Sequence, residues 1–400
     1  MMTGVFMRSA MFSSMAAVLL AGCSVMGSSG EEGGQGSGEW EHPDYDTTLT
    51  VSDVAGLLAA VDYANANGNV EILLLDGTYQ LGDMLWIDAF NVGFRGQSGD
   101  RDAVVIRGQG MKGLVTHIFN VAGDYFAMRD MTAGWVFCHA VQIHGESDAD
   151  NPFFGNVVFT DTGEQMLKVS SDFGGSWSDG GIVENCSFQY SAGYGPQYYT
   201  GGVDGHRCRD WTVRDCYFYG IRSPEAELAE HAIHFWSGSE GTVVERNRIT
   251  SCDRGIGFGM GDSGHGSGII RNNFVHTTRD VGIGLENASG VDVYNNSLYT
   301  EDYVNSIEYR FPGTSGGEII NNLTSGDIAS RDGGSAAVES NITSALSSWF
   351  LDAGSGDLHL APAASGAVDA GQTLSDVVLD FDSEERPAGT AYDIGGDEVH

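Results

Sequence analysis

The sequence predicts an all-β chain wound as a right-handed parallel β-helix, and three observations predict it. The first is a four-residue strand pattern, apolar then outward then apolar then outward, that recurs seven times between residues 141 and 310. Its copies begin at Val141, Leu167, Val203, Ile233, Ile256, Ile283 and Ile307, in steps of 26, 36, 30, 23, 27 and 24 residues. Alternation with period two marks a half-buried strand, and self-similarity at 20 to 50 residues marks a solenoid. The second is a corner motif after each strand, apolar-x-Asn/Asp/Arg-Asn/Cys, whose fourth position reads Cys186, Cys216, Asn247, Asn273, Asn296 and Asn322. The third is composition: 58 glycines and only 7 prolines in 400 residues suit many tight turns between short strands.

Taken in chain order, the N-terminus comes first. Arg8, the apolar run Met11 to Leu20 and the ending Leu20-Ala21-Gly22-Cys23 have the form of a secretory signal over residues 1–22, too short for a membrane span. The ending resembles the bacterial lipobox, which implies lipidation at Cys23 and attachment to a membrane, with an outer-membrane or cell-surface location. Residues 23–46, rich in Gly, Ser and Glu, read as a flexible tether. The remainder, residues 47–400, reads as one solenoid domain. A helix is predicted over 51–67, with Ser52 as N-cap and Val54, Leu57, Leu58 and Val61 on one face. It is expected to cover the open first turn, which would otherwise be a free sheet edge. Strands follow at 71–75, 104–106 and 119–121, then the repeats, then a closing segment over 342–400. In the corner column, inward asparagines are expected to bond the turns above and below, a structural role only. Cys186 and Cys216 share that column at a spacing compatible with either a disulfide or two thiols.

The net charge of −36 excludes a nucleic-acid partner, since no basic footprint exists. A polyanionic substrate would need a local positive patch or a bridging cation such as Ca²⁺. No residue pattern fixes a cofactor, and without a Cys-x-x-Cys pair there is no zinc ribbon. A monomer is expected.

The stretch from Ile72 to Leu81, with Asp76-Gly77-Thr78-Tyr79, resembles the start of secreted bacterial pectate-lyase-like β-helix proteins. The tail, with Asp357-Leu358-His359-Leu360, Arg386-Pro387 and Tyr392-Asp393-Ile394-Gly395-Gly396, is similar to their closing segment. With the repeats, the resemblance covers nearly all of residues 70–396. It implies a β-helix and a polysaccharide partner, in a class that includes lyases, hydrolases, epimerases and inert fibres. Gly202-Val203-Asp204-Gly205-His206 also resembles the Gly-Ile-Asp-Pro-His type of motif of mannuronan epimerases, with Gly205 in place of proline and Arg207 in place of the following acid.

Two outward columns follow from the alternation: Gln142, Lys168, Asp204, His234, Gly257, Gly284, Glu308, and His144, Ser170, His206, Trp236, Gly259, Glu286, Arg310. They are expected to line an open groove suited to an extended polymer, flattened at the glycines. Lys168 is one of two lysines among 19 basic residues, and lysine can act as a base where arginine cannot. Asp204 and His206 share a strand face, with His234 on the next turn, so a carboxylate is placed to orient an imidazole. The histidines with Asp204 could instead hold a metal, although His144 and His206 lie two turns apart. Glu164, Glu230, His231 and Arg254 are placed on loops entering the strands, and Trp177, Tyr198, Tyr199 and Trp236 could stack on sugar rings.

The function read from these residues is proton abstraction beside a uronate carboxyl, giving a polysaccharide lyase or an epimerase. Lys168 or His234 would be the base, Arg254 or Arg207 the charge neutraliser, and Tyr199 or His206 the acid. Gln142, His144, Glu164, Tyr198, Tyr199, Arg207, Glu230, His231 and Trp236 would bind substrate. Two other readings stand beside it: a glycoside hydrolase using Asp204 with Glu164 or Glu230, and a surface protein that binds glycan without catalysis.

Overall fold

The computed structural model describes residues 40–172 and 174–400, so the signal segment and Cys23 lie outside the described residues. The chain from Trp40 to His400 forms one unit. It is a solenoid of parallel strands: ten of them stack in one sheet, and twenty more form the ladders of the other faces. The first column holds in unbroken register from Leu85 through Phe119, Val141, Leu167, Val203, Ile233, Ile256, Ile283 and Ile307 to Ile328. From Phe119 to Ile307 these positions are fully buried. Register is held because a one-residue slip would turn the whole apolar set to solvent.

The corner motif has two working positions. The third residue bends the chain: Asn185, Asp215, Arg246, Asn272, Asn295 and Asn321 all take a left-handed backbone, with φ between 49° and 59°. Asn and Asp tolerate that region better than other side chains. The fourth residue forms the ladder. The Asn273 amide donates to Asn296 Oδ1 at 2.9 Å, and Asn273 Oδ1 accepts from the backbone of Asn247 at 3.0 Å. The same contacts continue through Asn322 to Asn341. Above them Cys216 takes the place of an asparagine: the Cys186 backbone donates to its Sγ at 3.4 Å, and both thiols are free. Inside, Phe159, Phe188 and Phe218 stack turn on turn at 4.7 Å.

The capping helix runs Val54–Asn67, with Asp53 rather than Ser52 as its N-cap; the Asp53 carboxylate accepts from Gly56 N at 2.8 Å. Before it lies a strand the sequence reading lacked, Thr47–Val51, parallel to Val70–Leu74. The tether reading also stops short of residue 46, because Trp40 stacks on His42 and on Phe153 at 4.3 Å. The closing segment does not extend the coil. It folds back along the corner column, where Asn272, Asn295 and Asn321 donate to the carbonyls of Leu379, Asp393 and Gln372. Arg386, bonded to Glu398 at 2.7 Å with both side chains buried, fixes that return.

Candidate functional site

Strand register builds the site. Lys168 lies beside Asp204, and Asp204 beside His234, as lateral neighbours on the strands Leu167–Ser170, Val203–His206 and His231–Trp236. His206 follows Asp204 by two residues and so faces the same way. Lys168 Nζ donates to Asp204 Oδ2 and lies 2.6 Å from His206 Nε2. Trp236 Nε1 donates to Asp204 Oδ1 at 2.8 Å, and His234 Nδ1 is 3.7 Å from that same oxygen. His206 Nδ1 meets the hydroxyl of Ser237 at 3.1 Å, and His234 Nε2 donates to the carbonyl of Gly259 at 3.2 Å. Lys168, Asp204, His206 and His234 therefore meet in one cluster.

The open groove expected over these columns is not what the structure has. Lys168, Asp204, His206 and His234 are buried, at 9%, 4%, 8% and 2% exposure. The Trp236 ring covers the histidines, 4.3 Å from His206 and 5.5 Å from His234. Burial works to raise the Asp204 carboxyl, yet the Lys168 charge and the bond from His206 hold it well below the usual carboxylate range. Burial pushes the His234 imidazole down against the pull of Asp204 and Glu230. His231 is driven further down, by burial and by the neighbouring His234 and Arg254.

His231 and Arg254 are not loop residues; each is the first residue of its strand, and they are register partners. The glycines of the column do not leave a flat surface either. A Cβ at Gly257 would stand 2.8 Å from the His231 ring, so glycine there makes room for the imidazole. Beside it opens a cleft of about 170 Å³ lined by His231, Arg254, Asp280, Gly284, Tyr303 and Glu308. Arg254 Nε lies 3.2 Å from Asp280, and Arg331 pairs with Glu308 at 2.9 Å.

Most of the other assigned residues fall outside the cluster. Gln142 donates to Ser170 at 3.2 Å, and His144 is held by Glu146 at 2.8 Å and Asn120 at 3.0 Å in a separate network. Glu164 faces His139 at 3.5 Å, its carboxyl raised by burial. Arg207 lies over the Trp177 ring at 4.5 Å and donates to Ser176 O, which takes it away from the cluster. Tyr198 and Tyr199 are exposed, with rings 6.5 Å apart. Glu230 belongs with the histidines: Glu230, His231 and His234 offer donor atoms within 4.8 Å of one another. Ser237 and Asp280 escaped the sequence reading, which placed Gly259 in the outward column without a role for its carbonyl. Ser237 directly follows the strand pattern, while Asp280 and the Gly259 carbonyl left no residue-type signal. Calcium, which takes six to eight oxygen ligands, does not fit here, since this donor group is two imidazoles and one carboxylate.

No protein-family model and no curated protein matches the chain. Solved structures do. Pectate lyase Pel9A aligns with a TM-score of 0.62 and 16% identity, over 89% of this chain and 97% of that one. An alginate lyase from Paenibacillus sp. str. FPU-7 aligns with a TM-score of 0.42 and 13% identity, over 74% and 99%. The mannuronan C-5 epimerase AlgE6 A-module of Azotobacter vinelandii gives 0.37 and 14%, over 75% and 97%. The chain thus has the pectate-lyase-like, right-handed parallel β-helix fold. At this identity the likeness concerns fold, and the chemistry has to be argued from the site.

Proposed function

We propose that this protein acts on a uronate-containing polysaccharide, removing the proton beside the carboxyl group to give elimination or epimerisation. The observation that carries the reading is the 2.6 Å approach of Lys168 Nζ to His206 Nε2, next to the ionised Asp204. At this distance Lys168 Nζ and His206 Nε2 can share one proton, so the reaction can draw a base from the lysine amine and an acid from the His206 imidazolium. Asp204 Oδ2, 3.7 Å from His206 Nε2, stabilises that imidazolium, and Ser237 holds the other ring nitrogen. Arg254, at the cleft beside the cluster, is the candidate to neutralise the substrate carboxylate. Pectate, the polymer named for the neighbouring fold of Pel9A, supports a uronate over a neutral sugar. Lipidation at Cys23 and a cell-surface location complete the reading, on the sequence of the leader alone.

The hydrolase reading would use Asp204, held ionised, with Glu164, whose carboxyl burial raises. Incubating the protein with polygalacturonate, alginate and other polyuronates, and following the ultraviolet absorbance of unsaturated ends together with reducing ends, separates the two. Unsaturated ends support elimination. Reducing ends without unsaturation support hydrolysis, and neither product from any polyuronate sinks the lyase reading.

A further inference from the structure

We propose that Glu230, His231 and His234 form a binding site for a divalent cation of the zinc class. Their donor atoms, one from each residue, all lie within 4.8 Å of one another. Ligand atoms around a tetrahedral zinc sit roughly 3.3 Å apart, so side-chain shifts of about an ångström close the site. Two imidazoles and one carboxylate select zinc, cobalt or nickel over calcium or magnesium, which prefer oxygen throughout.

Two further observations point to a ligand. His231 Nδ1 is buried without a hydrogen-bond partner, and a buried orphan nitrogen is costly unless something binds it. His234 donates its Nε2 proton to the Gly259 carbonyl at 3.2 Å, which fixes the tautomer and leaves the Nδ1 lone pair free. A metal-ligating histidine is usually held by its other nitrogen in this way. Local charge allows a cation as well: Lys168 pairs with Asp204 and Arg254 with Asp280, while Glu230 beside His234 leaves a net of one negative. Among the described residues two other groups lie in the tail, each of one histidine and two carboxylates; at His359 both ring nitrogens are already taken, by Asp357 at 2.5 Å and Asp382 at 2.9 Å, and His400 Nε2 pairs with Glu384 at 2.9 Å. Zinc of this kind keeps a fourth position for water or for an oxygen of a bound molecule. The cation site does not depend on the uronate reading, because a chain inert towards polyuronates can hold the ion.

The test is a cobalt titration of the untagged, chelator-treated protein, followed by visible absorbance, with zinc and calcium as competitors. One equivalent of Co²⁺ should give tetrahedral d–d bands that Zn²⁺ abolishes and Ca²⁺ leaves. Glu230→Gln, nearly isosteric, and His231→Gln should each weaken Co²⁺ binding at least about tenfold with native circular dichroism. His359→Ala should leave it unchanged. Absence of the bands, or wild-type affinity in both Glu230→Gln and His231→Gln, overturns the proposal, as does loss of binding in His359→Ala alone.

Discussion

Lys168 Nζ lies 2.6 Å from His206 Nε2, although the two residues are 38 positions apart in sequence. Strand stacking brings them together: Lys168 is the register partner of Asp204, and His206 stands two residues further along the same strand face. The contact is buried, and that changes what a substitution costs.

Lys168→Ala should destabilise the protein by on the order of 3 kcal/mol, because it strands the Asp204 carboxylate without its cation under the Trp236 ring. Were the column open to water, the same change would cost almost nothing. Urea denaturation of the two proteins decides, with a coincident midpoint contradicting the burial argument.

The asparagine ladder should be among the most sensitive structural features. Asn273 donates to Val244 O, Arg271 O and Asn296 Oδ1 and accepts from Asn247, fully buried. Asn273→Ala leaves several of those groups unpaired, so a loss of about 3 kcal/mol is expected. Calorimetry should register a clear drop in Tm, whereas an unchanged Tm would mean the ladder is dispensable.

Acid sensitivity should have a histidine component. His265, buried and stacked on Phe258 at 4.1 Å, has its pKa pushed down to about 4 by burial, despite the bond to Gly266 O. Its folded value lies below the unfolded value near 6.5, so the unfolded chain binds the extra proton between them. The neutral ring's contribution is therefore complete above about pH 6.5 and is lost as pH falls towards 4, to a total on the order of 3 kcal/mol. Stability measured at successive pH values should decline less steeply across that window in His265→Gln than in the wild type. Equal slopes would contradict the assignment.

Cys23→Ser should release the mature protein from membranes, because a diacyl anchor at that residue is the attachment proposed. Fractionation of cells expressing each form checks it, and persistent membrane association of the serine form would end the lipoprotein reading.

The stack was legible because register is a period-two property: Val141, Leu167, Val203, Ile233, Ile256, Ile283 and Ile307 had only one face on which all could be buried. Lys168, Asp204, His206 and His234 were legible for the same reason. Their cover was not, since the position of the Trp236 ring depends on three-dimensional packing and not on alternation. Gly257 read as a flat stretch of the groove, whereas its missing Cβ is the space in which His231 lies. His144 and Arg207 carried suitable chemistry in the right column or next to it. Each is claimed by a nearer partner, Glu146 and Trp177, on turns whose loop course no repeat specifies. The strand Thr47–Val51 was missed because it precedes the repeats and follows a glycine-rich stretch with no pattern of its own.

The most direct measurement is the turnover of Lys168→Arg on whichever polyuronate the wild type degrades. Arginine can keep the ion pair with Asp204 but cannot give up a proton. The account predicts a fold as stable as wild type and a loss of at least about a hundredfold in kcat. Near-wild-type kcat in a stable Lys168→Arg protein would contradict it and leave Lys168 as a structural partner of Asp204 alone.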